Sequence, residues 1–190
     1  MSKRLREYRK LILTLFAITA VAALLLSVVN AVTADPIARR LDAKRQAAME
    51  AVSPGATIFS QVKFDPSAVT DMHAAYKGDT LLGYCVELNA DGFTGPIDLL
   101  VGVSAAGKVT GVSVLRHTET PGLGANADDP NFLDRFVGRS GNIQVGRGGV
   151  DAVSGATITS KAVAQGVSDA LEAVAQYQGK GVQSDEEGEI

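Results

Sequence analysis

From Leu11 to Ala34 the chain carries no charged residue. As a helix rising 1.5 Å per residue this run is about 36 Å long, more than the ~30 Å hydrocarbon core of a bilayer. The sequence therefore predicts a retained transmembrane anchor, with a basic start and span over residues 1–34. The opposing reading is a secretory signal cleaved at the small-residue string Val32-Thr33-Ala34. The apolar region of a signal is only about 7–15 residues, shorter than this one. Lys3, Arg4, Arg6, Arg9 and Lys10 precede the run and favour a cytoplasmic N-terminus. Arg39, Arg40, Lys44 and Arg45 follow it, so the charge asymmetry leans toward an extracytoplasmic body without fixing one.

Asp35-Pro36 suits a helix start, because Pro is tolerated in a first turn. A helical linker over 35–55 follows, with Leu41, Ala48 and Val52 near one face, until Ser53-Pro54-Gly55 breaks it. What remains of the 190 residues is one domain of ordinary size, 56–178. A net charge of −3 with no basic stripe excludes a nucleic-acid footprint. The single cysteine, Cys85, excludes an internal disulfide, and its apolar setting LLGYCVEL reads as a buried thiol. With only two histidines, no metal ligands are expected, and no residue is assigned a catalytic role.

Strand patterns cover Thr57–Phe64, Leu81–Leu88, Ile97–Val103 and Val109–Leu115. The last two are joined by Ser104–Lys108, a hairpin length with a glycine, although Gly111 interrupts the alternation of the second. The class is α+β: an anchor helix, then a twisted antiparallel sheet with packed helices. Phe132, Leu133 and Phe136 recur at helical spacing within Asn131–Val137. The glycine-rich 138–149 segment reads as a loop with a short strand at Asn142–Val145, and no Walker-type Lys-Ser/Thr pair follows it. From Thr159 to Tyr177 an apolar stripe of Val163, Val167, Ala170, Leu171 and Val174 predicts a helix docked on the sheet. The acidic, glycine-containing tail, 179–190, reads as disordered.

Two stretches carry chemistry. Asp151–Ser160 reads DAVSGATITS, a turn at Ser154-Gly155 running into a helix start. Free amides and the positive helix end at such a junction suit a phosphate, while the commoner use of these hydroxyls is plain capping. Ser154 is placed for turn or capping bonds, and the Thr159 hydroxyl for folding back onto a preceding carbonyl. Thr157 follows the small pair Gly155-Ala156 at the helix entrance. The second stretch, His117–Gly124, reads HTETPGLG. Its Pro-Gly and Gly-Leu-Gly steps enforce a non-repetitive backbone that can lie close to a flat ligand. The alternative is a surface turn with a solvated Glu119.

Asp151-x-x-Ser154-Gly155-Ala156-Thr157 resembles the flavinylation motif of FMN-binding domains in the Rnf and Na+-pumping NADH:quinone reductase complexes. Glu119-Thr120-Pro121-Gly122-Leu123-Gly124 resembles a second string of that family, placed as here between a hairpin and the first motif. The resemblance runs from the anchor to about Tyr177, and the compact length is closer to the Rnf G subunits than to the longer C subunits of the quinone reductase. It implies FMN joined to Thr157 by a phosphoester, put there by a separate flavin transferase using FAD and a divalent cation. Asp151 and Gly155 would be recognition and turn residues, with the amides of Gly155, Ala156 and Thr157 near the phosphate. Glu119–Gly124 would form a wall of the flavin pocket. The implied role is electron relay within an ion-translocating ferredoxin:NAD oxidoreductase, in the inner membrane with a periplasmic or external domain. Its partners would be the other membrane and redox subunits and membrane lipid, and the chain would hold no complete active site alone. A rival of another class is a membrane-anchored scaffold in which Ser-Gly-Ala-Thr is only a helix cap.

Overall fold

The computed structural model describes residues 2–63 and 69–186, with side chains described for 8–63 and 69–179. The chain divides after Lys44 into two compact units. The first is helical throughout its described length, as part of α1 (Ser2–Val52). No break occurs at Asp35-Pro36: the helix expected to start there is a continuation, with Pro36 in its interior. The apolar window of α1 has a mean hydropathy of 2.7 and none of it is buried. The threonine hydroxyls of this run are satisfied locally, Thr14 donating to the Lys10 carbonyl at 2.9 Å and Thr33 to the Val29 carbonyl at 2.8 Å. These bonds keep the threonine donors paired on the flank of the helix, as a lipid environment demands.

The second unit is an antiparallel meander in the order β1 (Ile58–Gln61), β2 (Val69–Lys77), β3 (Thr80–Asp91), β4 (Pro96–Ser104), β5 (Val109–His117). Side chains alternate across it with period two. Tyr84, Val86, Leu88 and Ala90 of β3 face one side, against Val163, Val167, Ala170 and Val174 of α3 (Thr157–Glu186). Gly166 of α3 lets that helix lie close, since a Cβ there would stand 2.8 Å from Leu99 and 2.9 Å from Leu88. Phe132 and Phe136 close the same core edge-on, their rings 5.3 Å apart. They sit on α2 (Pro130–Leu133) and the 3-10 turn after it.

The opposite face receives the last turns of α1: Ala48, Met49 and Val52 pack with Ala75, Cys85, Leu100 and Leu115. Gly102 and Gly111, cross-strand partners on β4 and β5, form the seat. A Cβ on Gly102 would strike the Val52 carbonyl oxygen, and one on Gly111 would stand 2.8 Å from the Val52 Cα. The Thr110 hydroxyl donates to that carbonyl, satisfying one of the orphan acceptors at the helix end. Arg45 and Glu87 pair at 2.7 Å, tying the same helix end to β3. Cys85 is fully buried beside the Ser53 hydroxyl, 3.3 Å away. Burial pushes its thiol up, and the Ser53 bond offsets this only partly.

Three expectations change. β2 carries no clear apolar alternation in its sequence VTDMHAAYK, because the inward positions use small alanines, Ala74 and Ala75. The strand expected at Asn142–Val145 is a single parallel bridge, Val145 to Val150, closing a glycine-bearing loop. α3 begins at Thr157 and runs to Glu186, past the expected end at Tyr177. Of the tail expected to be disordered, 187–190 lie outside the described residues.

Candidate functional site

Three segments distant in sequence meet at one edge of the sheet: the β3–β4 turn, the loop after β5 and the start of α3. They enclose a cleft of about 400 Å³ lined by Phe93, Glu119, Thr120, Leu123, Gly124, Gly155, Ala156, Thr157, Ile158 and Thr159. Its rim is apolar and open, with Phe93 70%, Leu123 50% and Ile158 55% exposed.

The entrance of α3 is held from inside. The Ser160 hydroxyl accepts from the Val153 N–H at 3.0 Å and donates to the Ala156 carbonyl at 2.8 Å. The Ala156 N–H donates to the Val153 carbonyl at 3.0 Å, completing the turn through Gly155 at φ +76°. Ser154, expected to make turn or capping bonds, is exposed and its hydroxyl meets no partner among the described residues; Ser160, in the first turn of the helix, holds the turn instead, and it leaves the helix-start amides open. Among the described residues no acceptor meets the backbone N–H of Thr157, Ile158 or Thr159. Thr157 itself is exposed at the cleft.

The loop after β5 folds on itself, the Thr120 carbonyl accepting from the N–H groups of Leu123 and Ala125, both at 3.2 Å. Leu123 then reaches across to the turn of the other motif, 3.5 Å from where a Cβ of Gly155 would be. Glu119 is not a solvated surface acid: it is 6% exposed. One carboxylate oxygen accepts from the Thr94 N–H at 2.9 Å and the other from the Thr159 hydroxyl at 2.8 Å. The Thr159 hydroxyl therefore does not fold back on its own helix. Gly92 and Gly124 flank the carboxylate so tightly that a Cβ on either would overlap one of its oxygens. Burial works to raise the Glu119 pKa. The N–H of Thr94, the Thr159 hydroxyl and the N–H groups of Phe93 and Gly95 outweigh it and hold the carboxyl below its ordinary range. The group is an anion at neutral pH.

Of the eleven residues expected to hold the cofactor, seven line the cleft: Glu119, Thr120, Leu123, Gly124, Gly155, Ala156 and Thr157. Pro121, Gly122, Ser154 and Asp151 do not. Gly122 serves the loop through its φ of +78°, and the Asp151 carbonyl accepts from Arg135 at 3.0 Å. Sequence reasoning missed Phe93, Ile158 and the partnership of Thr159 with Glu119. The tetrad Gly92-Phe93-Thr94-Gly95 was the available signal, an exposed aromatic between glycines in a turn. Among the described residues no group of acids, histidines and cysteine is placed to hold a metal ion.

The model of the FMN-binding domain family matches residues 92–172, a span that includes all three walls of the cleft. Over 187 residues the chain is 35% identical to the G subunit of the ion-translocating oxidoreductase complex of Methanosarcina acetivorans, covering 92% of this chain and 98% of that one. Over 115 residues it is 40% identical to the G subunit of the proton-translocating ferredoxin:NAD(+) oxidoreductase complex of Clostridium ljungdahlii, spanning 57% of this chain and 62% of that protein. Among solved structures, the C subunit of the Na(+)-translocating NADH-quinone reductase from Parabacteroides distasonis superposes with a TM-score of 0.48 at 23% identity, over 64% of this chain and 76% of that one.

Proposed function

Because the chain belongs to the family of G subunits of ion-translocating oxidoreductase complexes and carries an FMN-binding domain, we propose that it relays electrons through an FMN seated in the cleft and bonded to Thr157. The observation that carries this reading is the junction itself. An exposed threonine hydroxyl, the open amides at the start of α3 and the helix dipole lie on one wall of a cleft whose rim is apolar. The residues present fit the group. Phe93, Leu123 and Ile158 offer apolar surface to the isoalloxazine ring, while the α3 entrance offers N–H donors and dipole to the phosphate. When bound, FMN supplies reversible electron transfer; the protein holds, shields and tunes it.

Among the described residues no side chain hydrogen-bonds the Thr157 hydroxyl, a poor nucleophile at neutral pH, so we assign its attachment to a flavin transferase acting in trans. Thr157 Oγ forms a P–O bond to the FMN phosphorus of FAD, AMP leaves, and the hydroxyl proton passes to the transferase. The chain holds no complete active site of its own. It works as one member of an oxidoreductase complex, against the other membrane and redox subunits. We read α1 as its anchor in the lipid bilayer and the sheet domain as extracytoplasmic.

The test is peptide mass spectrometry after co-expression with a flavin transferase. One FMN less one water is expected on Thr157, and Thr157→Ala is expected to fold without covalent flavin. A flavin peptide mapping to Ser154 or Thr159, or fluorescence surviving denaturation of Thr157→Ala, overturns the assignment.

A further inference from the structure

Glu119 is the one group on the cleft wall whose position the fold goes to unusual lengths to fix. Two donors from different segments hold its two oxygens, the Thr94 N–H at 2.9 Å and the Thr159 hydroxyl at 2.8 Å. Gly92 and Gly124 give up side chains to make room for it. Its own N–H donates to His117 Nδ1 at 3.2 Å, so the backbone on which it stands is pinned as well. Among the described residues no cation pairs with the carboxylate, and every partner it has is a neutral dipole. Dipoles fix a charge without cancelling it, so a cofactor lying against this wall of the cleft feels the charge.

We propose that Glu119 is a positioning residue that also sets the potential of the cofactor, a fixed negative charge in the cleft wall that disfavours reduction of the FMN. This rests on the reading that FMN occupies the cleft. Adding an electron to the flavin brings negative charge toward an anion that cannot move away, because Thr94, Thr159 and the two glycines hold it. The oxidised form gains relative to the reduced one, and the midpoint potential falls. The phosphate end is served separately, by the α3 amides that Glu119 leaves untouched.

Glu119→Gln is a clean probe. The amide oxygen can keep the Thr94 N–H, and its NH2 can donate to a Thr159 hydroxyl turned to accept. Shape is retained and only the charge goes. With covalent FMN confirmed by intact mass, Glu119→Gln is expected to raise the midpoint potential. At a fixed applied potential near the midpoint, the reduced-to-oxidised ratio should rise about tenfold, which is about 59 mV for a one-electron couple. Glu119→Asp keeps the charge but shortens the reach, so it should cost stability while its potential stays closer to wild type. A flavin-loaded Glu119→Gln with an unchanged potential overturns the proposal, as do equal shifts in the Gln and Asp variants. Redox-difference infrared spectra of the wild-type protein need no variant. A carboxylate band that responds to flavin reduction is expected, and its absence would overturn the proposal too. Failure of the reading beneath is separate, since it appears as wild-type protein without flavin on Thr157.

Discussion

Thr159 Oγ1 lies 2.8 Å from Glu119 Oε2, a bond between residues 40 positions apart in which the first turn of α3 donates to the loop after β5. It is a hydrogen-bonded tie between the two strings, beside the apolar contact of Leu123 with the Gly155 turn. Thr159→Val keeps the β-branched shape and removes the donor. A buried charged acceptor then loses a partner, at a cost of about 1–3 kcal/mol. Urea unfolding should show that loss, while covalent flavin on Thr157 is retained; loss of flavin from this variant would place Thr159, not Thr157, at the attachment point.

Glu119 also gives the domain an acid dependence whose sign is fixed. Its folded-state pKa is depressed, so its contribution is fully present above the unfolded value, about 4.3. That contribution fades as pH falls through the lower folded value. At pH 7 the wild-type protein should therefore be more stable than Glu119→Gln, and the gap should narrow below about pH 4. Unfolding free energies measured in parallel from about pH 3 to pH 7 would refute this if the gap were constant.

Gly122 and Gly124 sit two residues apart and serve different ends. At Gly122 the space is open and the constraint is a φ of +78°, so Gly122→Ala should cost about 1–2 kcal/mol in backbone strain with the flavin spectrum unchanged. At Gly124 a Cβ would overlap the Glu119 carboxylate, so Gly124→Ala should displace that group and alter the absorption and potential of the bound flavin. Equal spectra in the two variants would move the flavin ring away from Glu119.

On the far face, Gly102→Ala is expected to destabilise the full-length protein in detergent by about 1–3 kcal/mol, the usual cost of forcing a methyl into a packed contact. Its Cβ would meet the Val52 carbonyl at the end of α1. Thr110→Val should cost about 1 kcal/mol by leaving that carbonyl one donor short. Thermal unfolding of both variants, with the flavin spectrum as a control, separates this seat from the cleft.

Much of this was legible because local chemistry set it. The uncharged run, four of the five strands and the turn-to-helix step at Gly155 follow from periodicity and turn residues alone. The relations that make the site were not legible, because they pair residues far apart. Glu119 reads as one residue of a candidate pocket wall, with a solvated loop acid as the alternative, until Gly92, Gly124, Thr94 and Thr159 are brought around it. Gly111 reads as a flaw in a strand until Val52 is seated on it. Ser154 carries the local turn and capping signal, yet Ser160 holds the turn, since its hydroxyl reaches both Val153 and Ala156 from within the helix. β2 was hidden for a related reason: a strand packed through Ala74 and Ala75 shows little apolar contrast.

Membrane topology is testable with the chain's own cysteine as an internal control. Cys85 is fully buried and its thiol is pushed up by burial, so it should resist maleimide in the folded protein. Gly179, near the end of α3, is exposed, with nothing within 4 Å of where a side chain would begin. Gly179→Cys therefore supplies one reactive thiol on the sheet domain. In intact cells or spheroplasts a membrane-impermeant maleimide should label this variant and leave the parent unlabelled. Unfolding in denaturant should then expose Cys85 in both, which shows that protection came from the fold and not from the membrane. Labelling that appears only after the cells are broken would put the domain on the cytoplasmic side. An intact mass beginning at Asp35 would remove the anchor altogether, since the uncharged run of α1 would then be absent from the mature chain.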